Sequence, residues 1–186
     1  MKSLMPFDEI DALSDEAEAL KSTDRAKKKG EVDKYIDEVT DLFVTAYVFG
    51  TDDVNQQLDT DVQPDLDEMR AVIEQRFDDK DFRDRIREYM ESGTADEIKR
   101  VLETDAHRVY NAALYTGAKK AGAKKKTWCT MGDDRVRDTH QYLDGVTIGI
   151  DDEFYSYNGD KTLYPSQWGI PEEDINCRCW LIFSKE

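Results

Sequence analysis

A chain of 186 residues can bury one full hydrophobic core, or a helical body with a small appended module, but not two large domains. Its 42 acidic residues against 26 basic ones give a formal net charge of -16, so the surface repels polyanions and duplex DNA is excluded as a first partner. No run approaches the ~20 apolar residues of a bilayer span, the start at Met1 to Glu9 turns acidic where a secretory leader's apolar stretch would follow, and three cysteines argue against a disulfide framework.

Most of the acidic excess lies before residue 100. Residues 1–30 read as an acidic N-terminal helical arm: Ile10, Leu13, Ala17 and Leu20 stand amid acids, a basic step follows at Lys27-Lys28-Lys29-Gly30, and a partner is expected to order it. Residues 31–122 read as a helical body. Val32, Tyr35, Ile36, Val39, Leu42, Phe43, Ala46 and Tyr47 recur at three- and four-residue steps, with Gly50 as the terminator and a polar stretch from Thr51 to Pro64 that reads as a loop or a frayed continuation. Leu66, Met69, Ile73 and Phe77 mark a second helix, and Phe82, Ile86 and Tyr89 a third.

Thr94 with Glu97 predicts a capping box ahead of Ile98, Val101 and Leu102, and Thr104 or Asp105 is expected to cap a further helix whose inner face is Ala106, Val109, Tyr110, Ala113, Leu114 and Gly117. The cluster Lys119, Lys120, Lys124, Lys125 and Lys126 complements the negative end of that helix's dipole. It is read as a solvated terminus, with no sequence-specific nucleic-acid binding expected.

After Ala123 helical periodicity gives way to Trp, Tyr, Phe, Gly and all the cysteines, so residues 123–186 are assigned to a separate module. Strands are expected over 126–131, 146–150 and 177–183, and a helix over 134–143 started by Asp133 and ended by Gly145. The irregular stretch 151–173 is expected to be held by Phe154, Tyr155, Tyr157, Tyr164 and Trp168. The fold class is therefore α+β, a mostly helical N-terminal body of four or five helices followed by a small mixed α/β C-terminal module.

On the predicted helix, Val136, His140 and Leu143 fall within about 60° of one another, so His140 faces inward. Strand alternation sends Cys177 and Cys179 to one face and Arg178 to the other, and their spacing of about 6.5–7 Å between Cα atoms is at or beyond the disulfide limit. If the two elements meet, His140, Cys177 and Cys179 form a candidate structural zinc site, with Cys129, Asp133 or water as fourth ligand. The bland alternative is a hydrogen-bonded core histidine beside cysteines that act as small hydrophobes. No other catalytic arrangement is evident: there is no Gly-rich phosphate loop, His107 beside Arg108 is expected to be exposed, and Asp133-Asp134 and Asp151-Asp152 read as solvated surface.

Taken in order, Lys126-x-Trp128, Asp133-x-Arg135-Val136-Arg137-x-x-His140, Leu143-Asp144-Gly145, Asp151-Asp152-Glu153-Phe154, Tyr164-Pro165 and Asn176-Cys177-Arg178-Cys179 resemble the conserved module of the phage Mu F-like minor head proteins, over roughly residues 104–186. The resemblance implies a minor capsid protein of a tailed bacteriophage acting in head morphogenesis. Portal, capsid and scaffold proteins would be its partners, the host cytoplasm its place of assembly and the virion its destination, with some members ejected with the DNA.

No enzyme activity is implied. Two alternatives are weighed beside it: an ADP-ribosyltransferase- or nuclease-like toxin, since some relatives join this module to toxin domains, and a zinc-stabilised adaptor unrelated to virions. The acidic helical surface is expected to dock on a basic partner patch and to be kept off packaged DNA.

Overall fold

A computed structural model describes residues 7–22 and 29–186, so the first six residues and the Lys27-Lys28 step lie outside the described residues. The architecture is α+β, with a helical body followed by a small strand-containing module. Helix α1 (Phe7–Ser22) buries Ile10, Leu13, Ala17 and Leu20, and Lys21 Nζ donates to the carbonyl oxygens of Tyr89 and Met90. The arm packs its apolar stripe against α2 and α5 of its own chain.

Helix α2 (Lys29–Leu58) carries the expected apolar face but runs through Gly50 without a break. A Cβ at Gly50 would come within 2.6 Å of the Tyr110 carbonyl oxygen and 2.8 Å of Ala113 Cβ, so this glycine is a helix-crossing point. Val54 and Leu58 extend the buried face, and Asp59 ends the helix in the left-handed region at φ 50°. The Asn55 side chain then clasps the loop: it accepts from Thr60 Oγ1 and the Val62 N–H, and donates to the Val62 carbonyl.

Helix α3 (Leu66–Ile73) starts at Asp65, whose carboxylate accepts from the Asp67 and Glu68 N–H groups. It buries Val72 and Ile73, whereas Leu66 is exposed and Phe77 lies beyond the helix in a bridge with Lys80. Helix α4 (Phe82–Ser92), capped by Asp81, buries Phe82, Ile86 and Met90. The Phe82 ring meets Phe43 edge-on at 4.9 Å.

Helix α5 (Ala95–Lys120) begins at the Thr94–Glu97 capping box and continues past Thr104 and Asp105. No second cap is formed, because the Asp105 carboxylate is buried in ion pairs with Arg85 at 2.7 Å and with Arg108 at 3.0 Å. Arg108 also donates to the Val72 carbonyl and to Gln75. This helix is the spine of the molecule, touching α1, α2, α3 and α4 and the last strand.

Three antiparallel strands follow in the order β2-β1-β5: β1 (Lys125–Cys129), β2 (Thr147–Gly149) and β5 (Trp180–Ser184). Their register pairs Thr127 with Thr147 and Trp128 with Leu181. A hairpin of β3 (Phe154–Tyr155) and β4 (Lys161–Thr162), and two short helices, α6 (Asp138–Gln141) and α7 (Pro171–Asp174), complete the module. Phe154, Tyr164 and Trp168 hold the irregular stretch, as expected, but Tyr155 and Tyr157 are exposed.

The buried core is continuous from α1 through Leu181. Strand β5 is seated on the last turns of α2, where Gln57 accepts from the Phe183 N–H and Lys185 donates to the Leu58 carbonyl. Among the described residues no helix is long and apolar enough to cross a membrane.

Candidate metal centre

Strand β1 supplies the floor of the site. Its alternation buries Lys126 and Trp128 on one face and turns Lys125, Thr127 and Cys129 to the other. Trp128 is fully buried and gathers three rings: Phe154 at 5.0 Å, His140 at 5.5 Å, both edge-on, and Trp168 at 5.9 Å. Trp168 in turn stacks on His140 at 5.8 Å, with 20° between the ring planes.

The helix expected over 134–143 shrinks to α6, because tertiary contacts hold the preceding residues in other conformations. Arg137 is extended, at φ -68° and ψ 150°, and its guanidinium donates to the carbonyls of Glu173 and Ile175. Asp133 is not a helix cap: its carboxylate accepts the Arg135 N–H and both Arg178 Nη groups, at 2.6 and 2.8 Å. That guanidinium holds the Asp133 carboxyl below its ordinary range.

Cys177 and Cys179 likewise precede β5 instead of lying in it. Even so, Val136, His140 and Leu143 all point inward, and both thiols meet the imidazole: Nδ1 is 3.5 Å from Cys179 Sγ and 3.7 Å from Cys177 Sγ. All three ligand atoms lie within 4.8 Å of one another, and all three residues are buried.

The far side of the ring is equally specific. His140 Nε2 is 3.1 Å from the buried Glu173 carboxylate, an ion-pair distance whose angle is poor for a hydrogen bond, and Thr139 donates to the same oxygen. The hydrogen bond from Cys179, then His140, holds Cys177 well below the usual thiol range, while Cys179 is pushed up.

Asn111 on α5 donates to the Cys179 carbonyl at 3.0 Å, tying this segment to the spine. Asn176, at φ 58°, turns the chain into it. A small pocket reaches the cluster between Arg135, Arg137, Asn176 and Arg178.

Cys129 is not brought into this group: its thiol is free, half-buried and on the strand face opposite Trp128, and burial pushes it up. The other motif residues serve the fold. Asp144 accepts the Thr130 N–H, Gly145 turns the chain at φ 76°, and Phe154 and Pro165 are buried. Glu173 and Asn111 escaped sequence reasoning, and Trp168 was read there only as packing for the irregular stretch, since each reaches the site from an element remote in the chain. His107, expected to be exposed, is buried along α5, and burial lowers its affinity for a proton. Lys126, read as part of a solvated cluster, is buried too: it donates to the Leu163 carbonyl at 2.8 Å and lies over the Tyr115 ring.

The sequence matches the family described as Phage Mu protein F like protein over residues 67–182, from the start of α3 into β5. It is 37% identical over 87 residues to the NAD(+)--arginine ADP-ribosyltransferase EFV of Enterococcus faecalis (strain ATCC 700802 / V583), a match covering 45% of this chain and 18% of that protein. It is 36% identical over 83 residues to the minor head protein GP7 of Bacillus phage SPP1, covering 43% of this chain and 27% of GP7. The alignments thus span under a third of either relative. No solved structure matches.

Proposed function

We propose a structural role in the phage head, starting from one plain fact: the chain belongs to the Phage Mu protein F like family. It acts as a minor head protein of a tailed bacteriophage in head morphogenesis, assembling in the host cytoplasm against portal, capsid or scaffold proteins and residing in the virion. Entry into the cell with the DNA is part of the same reading. The similarity to GP7 supports it.

The observation that carries the structural role is how the motif spends its polar groups. Arg137 is committed to two backbone carbonyls, Arg178 to Asp133, and Asp144 to the Thr130 N–H. Groups so committed build the fold and are not offered to a substrate. Mass spectrometry of purified procapsids and virions should find the protein in few copies, and its absence from both would overturn the reading. Binding to purified portal should weaken as salt rises, as docking of an acidic surface on a basic patch requires.

A second reading rests on the likeness to the Enterococcus protein named as an ADP-ribosyltransferase. Incubation with labelled NAD and an arginine-rich acceptor separates the two. Turnover that His140→Ala abolishes would replace the structural role by an enzymatic one.

A further inference from the structure

Three soft or borderline donors, buried and converging from two separate segments, are an uncommon use of a small core. A histidine serving only as a packed ring would need neither thiol, and two cysteines serving only as small hydrophobes would have no reason to meet one nitrogen. The distances also fit a shared ion. A tetrahedral ion with metal–sulfur and metal–nitrogen bonds of about 2.3 and 2.0 Å sets its sulfur and nitrogen ligands about 3.5 Å apart. Here the two Sγ···Nδ1 separations are 3.5 and 3.7 Å.

The second observation lies behind the ring. Nε2 faces the Glu173 carboxylate, which is itself held by Thr139. A carboxylate behind the ring, with Nδ1 as the nitrogen that faces the thiols, is the outer arrangement that metal-bound histidines use. Trp128 and Trp168 fix the ring plane, and Asn111 and Asn176 fix the backbone of the Cys-x-Cys segment.

We propose that His140 Nδ1, Cys177 Sγ and Cys179 Sγ bind one zinc ion, with water as fourth ligand from the pocket between Arg135, Arg137 and Arg178. Among the described residues no fourth His, Cys, Asp or Glu joins the set. Glu173 sits behind the imidazole, and Asp133 is committed to Arg178. The ion clamps the segment that enters β5 to α6, beside the Arg178–Asp133 pair and the Arg137 bonds to the Glu173 and Ile175 carbonyls. Its role is to hold the module together.

The test uses the full chain, purified without chelators under reducing conditions and offered equimolar zinc. About one zinc per folded chain should remain after gel filtration. Cobalt in its place should give thiolate-to-cobalt charge-transfer absorption and the strong visible bands of a tetrahedral site. Cys129→Ser should keep both signals, Cys177→Ser and Cys179→Ser should lose the sulfur band in part or whole, and Glu173→Gln should weaken affinity by about 10–100-fold while keeping stoichiometry. Folded wild-type protein holding under a tenth of an equivalent of zinc, with no charge-transfer band, would overturn the site. So would a band that Cys129→Ser removes and Cys177→Ser leaves intact.

Discussion

Substituting the two interior helix glycines, Gly50 and Gly117, should shift stability in opposite directions. In an isolated helix each Gly→Ala change would gain roughly 1 kcal/mol from backbone entropy. At Gly117 the new methyl would meet Val54 at 3.5 Å, an ordinary contact, so the gain survives and Gly117→Ala is stabilised by up to about 1 kcal/mol. At Gly50 it would lie 2.6 Å from the Tyr110 carbonyl oxygen and 2.8 Å from Ala113 Cβ. A backbone oxygen cannot rotate aside, so the helices must separate. Overpacking of this kind costs typically 1–3 kcal/mol, here toward the top of that range.

Set against the propensity gain, Gly50→Ala should lose about 2 kcal/mol, or about 4–8 °C in Tm for a chain of this size. Urea unfolding followed by circular dichroism at 222 nm measures both variants. A double variant, Gly50→Ala with Ala113→Gly, should recover only part of the loss, because the Tyr110 oxygen remains. Equal or greater stability of Gly50→Ala would refute the close crossing of α2 and α5.

Asp105→Asn should cost about 3–5 kcal/mol in the same assay by leaving Arg108 buried without its counter-charge, whereas Asp33→Asn, at the exposed pair with Arg87, should cost under about 1 kcal/mol. Thr94→Ala should cost about 1 kcal/mol, since it removes the acceptor for the Glu97 N–H.

Lys126 gives a pH signature. Burial pushes its pKa down from 10.5 to about 8. The unfolded chain therefore binds the extra proton between these values, and stability rises with pH across that window. Relative to Lys126→Met, the wild type should gain about 1 kcal/mol per pH unit from pH 8 to 10, and a flat difference would show the amine to be solvated.

Local chemistry alone determined a good deal of this protein. The capping box at Thr94, the apolar faces of α1, α2, α4 and α5, the turn at Gly145 and the order of motif residues from Trp128 to Cys179 all depend on neighbours within a few positions, so periodicity reports them. The inward imidazole and the paired thiols were legible for the same reason, even though the helix and strand expected to carry them are shorter than their patterns suggest.

Contacts between distant segments were decided only by the tertiary structure. Gly50 reads as a terminator until a second helix is laid against it, and Asp105 reads as a cap until two arginines claim its carboxylate. Cys129 was separated from the other thiols by the one-residue phase of a strand that turned Trp128 inward. Glu173 reached the back of His140 from 33 residues away along the chain, a partnership that no local spacing encodes.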